Sequence, residues 1–286
     1  MQLVFNTLIA ASAIVLAALS FRLVYVTARF FHFAHALTIS IGGYAAWSFF
    51  NYCAANPYWA FLSAVILTGA AGTLSFMVFL RPLMTKGASP LVLLLASLAI
   101  HLIFQHTIAL IFGEDARSVW SLEQMPVYSF AGGHLTVVQC WLIAFAVGVS
   151  VLMGCSASFS IFGKQQAAVA EHSELSTIFG IDVLSVQMKV FLIASAVGGG
   201  LGALVGMDLS ISPGMGFDWL LPGVVALLVG GIYRIRYVVL ASVMLASVRT
   251  AVIWYLGSMW QDIFIYSVLF LYLFLRPEIL VGDEMQ

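Results

Sequence analysis

Nine apolar stretches, roughly 3–21, 36–52, 58–80, 89–112, 136–156, 186–207, 219–233, 237–256 and 260–275, follow one another with short polar breaks between them. A helix needs about 20 mostly apolar residues, with a range of about 17–25, to cross a bilayer. The stretches lack the strict alternation of a porin-like strand, so helices are expected. The stretch 219–233 is short and holds Pro222 and Gly223, which leaves it as a span, a broken helix or a re-entrant piece and the count at eight or nine. Charged residues make up only 8% of the 286. A soluble domain carries about 25%, so this chain cannot clothe a surface in water. The expected fold is an all-α polytopic membrane protein, one transmembrane domain over 1–286 with no soluble domain attached.

The basic residues orient it. With the N-terminus outside and nine crossings, Arg22, Arg29, Arg81, Lys86, Lys164, Lys189, Arg234, Arg236 and Arg276 fall at inner ends. Arg117 falls outside and Arg249 within a span. The positive-inside bias then predicts N-out, C-in. The run Leu3–Phe21 lacks a basic n-region and reads as a retained span rather than a signal peptide. The longest outer loop, 113–135, carries Glu114, Asp115 and Glu123 and reads as a solvated loop or part of a rim for an external protein.

Against this oily background the stretch 163–181 is polar. Ala167, Ala168, Ala170, Glu171 and Leu175 favour helix, and Gly163 and Gly180 bracket it as a start and a stop. Leu175, Ile178 and Phe179 form an i, i+3, i+4 apolar stripe. Two readings fit: an interfacial helix lying on the headgroups, or a short cytoplasmic helix on which a soluble partner docks.

Other polar residues mark the spans. His32 and His35 are three apart and share a face if helical. No third ligand stands near them, so metal is not expected. Thr38, Ser40, Gly42, Gly43 and Tyr44 open the second stretch; small residues there serve close packing or leave room for a solute. His101 and Gln105 share a face of the fourth stretch, and structural hydrogen bonding is the favoured reading. Gly198, Gly202 and Gly206 form a tandem small-xxx-small seam. Asp208, Ser210, Ser212, Pro213, Gly214 and Gly216 make a polar outer turn before the short stretch that closes at Gly230–Gly231. A Pro- and Gly-interrupted short span points to a solute pathway. Arg249 has no obvious acidic partner in sequence and reads as snorkelling, structurally paired, or facing a solute carboxylate.

Several classes are disfavoured. No acidic relay crosses the spans, which lowers an ion-coupled carrier. No G-x-x-x-x-G-K-[ST] loop is present, so ATP is not expected on this chain. No nucleophile–base pair supports an intramembrane enzyme. A net charge of −1 gives no reason for nucleic acid. Cys53, Cys140 and Cys155 form neither a disulfide framework nor metal spacing. A pathway without its own energy source remains, either a stand-alone channel or facilitator or one subunit of a pump.

Three segments carry a resemblance. His32-Phe33-Ala34-His35 resembles N-F-A-H-G-[DE]. Ala168–Leu175 with Phe179-Gly180-Ile181 resembles A-x-A-E-D-P-E-x-A…L-G-I. Ser212–Gly216 with Val229-Gly230-Gly231 resembles P-x-x-G…L-G-G. These are motifs of the permease subunits of ABC uptake systems for branched-chain amino acids, the LivH/LivM type, a family that includes urea and short-amide permeases. The likeness extends over nearly the whole chain. It departs at His32 for Asn, Ala36 for Gly, Leu37 for the acidic residue and His172-Ser173 for Asp-Pro. Bulky residues from Tyr233 to Val238 replace G-S-x-x-G-A.

The resemblance implies an importer for a small hydrophobic or branched-chain amino acid, or an amide, across the bacterial inner membrane. Its implied partners are a second permease as homo- or heterodimer, two cytoplasmic ATP-binding subunits that hold ATP-Mg, and an extracytoplasmic solute-binding protein. It puts Lys164, Ala170, Glu171, His172, Glu174, Leu175, Phe179 and Gly180 on a coupling loop of about 157–185. The expected pathway residues are His32, Phe33, His35, Ser40, Gly42, Gly43, Pro213, Gly214, Gly230 and Gly231.

Overall fold

The computed structural model describes residues 1–53, 56–119, 126–130, 132–232 and 234–275. Glu123, Tyr233, Arg276 and the C-terminus, all invoked above, lie outside them. The helices are α1 (Gln2–Ala28), α2 (His35–Tyr52), α3 (Pro57–Ser75), α4 (Arg81–Thr85), α5 (Pro90–Phe112), α6 (Val137–Phe159), α7 (Ile161–Glu171), α8 (Ser173–Ile178), α9 (Val183–Asp208), α10 (Met215–Gly230), α11 (Ile235–Leu256) and α12 (Gln261–Leu275). A π-turn at Phe76–Leu80 joins α3 to α4, so Pro57–Thr85 runs as one rod. The chain is an all-α polytopic membrane protein, with six helices among the described residues long and apolar enough to cross a bilayer.

The starts and stops follow local chemistry. Asn56 and Ser89 each cap a helix whose first residue is proline, accepting from Tyr58 N–H at 3.2 Å and Val92 N–H at 3.4 Å. Proline suits that position because the N–H it lacks would have no helical partner. Thr136 and Gln139 close a reciprocal capping box on α6, at 3.2 and 3.0 Å. One expectation needs amending. Part of the outer loop is ordered as a hairpin, β1 (Val127–Phe130) against β2 (Gly133–Thr136). Gln2 clasps it from α1, donating to the His134 carbonyl at 3.3 Å and accepting from its N–H at 2.9 Å.

Helix α9 is the axis of the molecule. It packs on α2 and α3 along one side and on α1 along another. The expected glycine seam is what allows this. A Cβ at Gly202 would overlap the Ile39 carbonyl, one at Gly198 would stand 2.6 Å from Thr38 Oγ1, and one at Gly206 would crowd Ile211 at 3.1 Å. The short stretch is a continuous helix, α10, running through Pro222 without a break. At about 1.5 Å per residue its 16 residues reach about 24 Å, short of a hydrocarbon core of about 30 Å.

Candidate functional site

The polar stretch after α6 forms two helices rather than the single helix read from its composition. Gly163 does not start the first. Ser160 caps α7, its Oγ accepting from Gly163 N–H at 2.9 Å. Gly163 instead lets α7 fold tightly back on α6, since a Cβ there would overlap the Ser156 carbonyl. The chain then extends at His172 (φ −149, ψ 101) and restarts as the six-residue α8. Gly180, at φ 80, ends it as expected. His172 makes no side-chain cap, and Ser173 opens the new helix. The Asp-Pro of the resembling motif would supply both a cap and a first-position proline here. The sequence reading missed the bend because the good helix formers on either side, Ala167 to Glu171 and Glu174–Leu175, were read across His172-Ser173 as one helix.

Burial divides this element sharply. Val169 and Ala170 are buried against the bundle. Lys164, Glu171, His172, Glu174 and Gly180 are exposed. The apolar stripe points away from the protein: Leu175 is 48% exposed, Ile178 78% and Phe179 82%. Polar ties hold the element. Gln166 Nε2 donates to Thr27 Oγ1 at 3.2 Å. The Arg29 guanidinium donates to the carbonyls of Ala170, from Nε at 2.6 Å and also from Nη2, and of Glu171, at 3.2 Å. Arg29 entered the sequence reading only as an inner charge. Nothing local connects it to a carbonyl 141 positions away.

A second group of residues lies between the starts of α2 and α10. The backbone from 30 to 34 is not helical, and α2 begins at His35. His32 and His35 are 4% and 0% exposed. His35 Nε2 meets Ser20 Oγ at 2.9 Å, and the His32 ring stands edge-on between Phe30 and Phe191. Ser40 Oγ donates to the Pro213 carbonyl at 3.2 Å and accepts from Gly216 N–H at 3.1 Å, tying α2 to the turn that opens α10. Gly214 faces the Gln105 amide. These are two remote segments joined by one hydroxyl.

Other expected pathway residues stand elsewhere. Gly42 and Gly43 lie in the α2–α9 contact, Gly42 against the Gly199 carbonyl and Gly43 against Met215 and Ile211. Gly230 abuts the Tyr237 carbonyl and Gly231 turns the chain toward α11 at φ 80. Arg22 secures that turn by donating to the Ile232 carbonyl at 2.7 Å.

The structure adds a row of rings. Tyr25, Phe31, Phe33, Phe217 and His101 follow one another with centroid separations of 4.7, 6.4, 5.8 and 5.0 Å. The first four are half-buried and pack against the core. Ser97 pins the turn to α5, accepting from Phe33 N–H at 3.0 Å, while the buried Nδ1 of His101 has no hydrogen-bond partner among the described residues. Phe31 and Phe217 were not singled out from sequence, where a phenylalanine among apolar residues carries no signal.

Arg249 is held structurally. It donates from Nε to Gln261 Oε1 at 2.9 Å, lies 4.8 Å from the Trp219 ring centroid, and interacts electrostatically with Asp262 and Asp218. Those carboxylates stand in the first turns of α10 and α12 without a hydrogen bond to Arg249, whose buried Nη1 has no hydrogen-bond partner among the described residues.

Comparison with known proteins agrees over the full length. The family model described as branched-chain amino acid transport system / permease component matches residues 3–273. BraD of Pseudomonas aeruginosa, a high-affinity branched-chain amino acid transport system permease protein, is 25% identical, with 99% of this chain and 95% of BraD covered. LivH of Escherichia coli, of the same description, is 23% identical over 99% and 95%. A probable LivH permease of Methanocaldococcus jannaschii is 25% identical over 88% and 81%. Among solved structures, PsaBC from Streptococcus pneumoniae in complex with Fab aligns with a TM-score of 0.55 at 11% identity, covering 100% of this chain and 96% of that one. That last likeness concerns the fold.

Proposed function

The chain belongs to the branched-chain amino acid transport permease family, and from that premise we propose that it is the membrane subunit of an ATP-driven importer for a small hydrophobic or branched-chain amino acid. In this reading residues 1–286 form one permease domain of eight or nine membrane helices in the bacterial inner membrane, N-terminus outside and C-terminus inside. Two cytoplasmic subunits hold and hydrolyse ATP-Mg, a second permease closes the pathway, and an extracytoplasmic binding protein delivers the solute.

The observation that carries the reading is the outward apolar stripe of α8. Leu175, Ile178 and Phe179 are exposed at the end of an element tied to the bundle by polar bonds. A helix that presents such a stripe suits the groove of a soluble partner. Lys164, Glu171 and Glu174 are exposed charges on the same α7–α8 element. The half-buried rings from Tyr25 to Phe217 offer apolar faces suited to the side chain of a hydrophobic amino acid, with His101 and Gln105 as polar neighbours.

Purification from the native membrane tests this directly. The chain should bring nucleotide-binding subunits with it and, in proteoliposomes, import radiolabelled leucine only when ATP is present. Uptake by the chain alone would instead establish a facilitator.

A further inference from the structure

Arg29 is the one non-glycine with a positive φ among the described residues, at φ 55 and ψ 31. That region costs an L side chain conformational energy that glycine escapes. The turn by itself therefore gives no reason for arginine. What the side chain does supplies one. Its fork takes the last two carbonyls of α7, Ala170 and Glu171. Such carbonyls have no partner within their own helix and carry the negative end of its dipole, so a guanidinium meets both needs.

Resting on the ATP-coupled reading above, we propose that Arg29 is the positioning residue that carries movement of α7–α8 to the buried turn bearing His32 and His35. The geometry is that of a link between two stiff parts. On one side the gripped carbonyls directly precede His172, where α7 bends into α8 and its exposed stripe. On the other side Phe30 is 2% exposed and His32, three residues along, 4%. Phe33 is pinned to Ser97. A pull at Arg29 therefore meets packed structure within one residue and cannot dissipate in a slack loop. The Gln166–Thr27 bond lies on the same two elements but is a single neutral contact. It serves as the control.

The test uses the permease complex with its ATP-binding subunits in proteoliposomes, scoring radiolabelled leucine uptake per ATP hydrolysed. Arg29→Gly keeps the left-handed turn and removes the fork; Arg29→Lys keeps the charge and loses two-point grip. Arg29→Gly should retain the ATP-binding subunits and hydrolyse ATP while uptake per ATP falls about tenfold or more, with Arg29→Lys between and Thr27→Val within about twofold of the parent. Parent-like coupling in Arg29→Gly overturns the proposal, as does an equal loss in Thr27→Val. If Arg29→Gly does not accumulate, Arg29→Lys decides, and parent-like coupling there overturns it. A parent chain that brings no ATP-binding subunits fails the underlying reading before any substitution is made, and this inference falls with it.

Discussion

The α2–α9 seam and the α7–α8 element are built on opposite terms. In the seam, backbones meet directly: Gly42 lies on Gly199 and Gly202 on the Ile39 carbonyl, with no room for a side chain. In α7–α8, polar ties run from Gln166 to Thr27 and from Arg29 to Ala170, and the large apolar residues of α8 and its end face out. In lipid, apolar surface gains little by leaving the solvent, so close shape is what fixes helices together. Ile178 and Phe179, by contrast, are left uncovered by the rest of the chain, and wherever water reaches them they carry a hydrophobic drive that the chain itself leaves unused. One region is closed by backbone contact and the other leaves large apolar side chains uncovered.

That contrast can be broken most forcefully in the seam. Gly202→Val would press a side chain into a carbonyl that cannot yield, and should cost about 3 kcal/mol. Thermal unfolding of the solubilised chain would register it, and an unchanged midpoint would mean the helices stand further apart. Next, Ile178→Asp or Phe179→Asp should leave that midpoint nearly alone, within about 0.5 kcal/mol. Each should weaken association with the ATP-binding subunits about 30-fold, a loss of about 2 kcal/mol. A stability loss like that of Gly202→Val would show that the stripe packs within the chain.

Smaller effects sharpen the picture. Phe217→Ala removes one ring from the row and should raise the half-saturating leucine concentration about five- to tenfold, or about 1–1.5 kcal/mol. Unchanged half-saturation with lowered stability would make the row mere packing. The smallest change is expected at the bend. Ser173→Pro puts proline at the first position of α8 and should stabilise that helix by about 0.4–1 kcal/mol. Slower hydrogen exchange in 174–178 would report it; faster exchange would place the helix start elsewhere.

Most of the span boundaries were readable because a bilayer demands length and low charge, and both are local properties of a chain. The α9 seam was readable for a similar reason, since glycines at every fourth position mark a close contact without naming its partner. The bend at His172 was not. His172-Ser173 weakens the helix without a proline or glycine to mark a stop, and the Arg29 bonds to the last carbonyls of α7 come from a segment remote in sequence. The candidate site divides the same way. His32, His35, Ser40 and Pro213 were legible as polar or special residues in an oily setting, whereas Phe31 and Phe217 look like any other span phenylalanine.

What the residues alone determined is therefore the broad character of each segment: apolar runs suited to lipid, one polar element among them, and small residues where helices touch. Which segments meet was decided only by the tertiary structure. The Arg29 grip on Ala170, the Ser40 bridge to Pro213 and Gly216, and the Arg249 contacts with Trp219 and Gln261 join residues from separate helices. A hydrogen bond or ring contact of this kind depends on position to within about an ångström, and remote stretches acquire such positions only once the helices have packed.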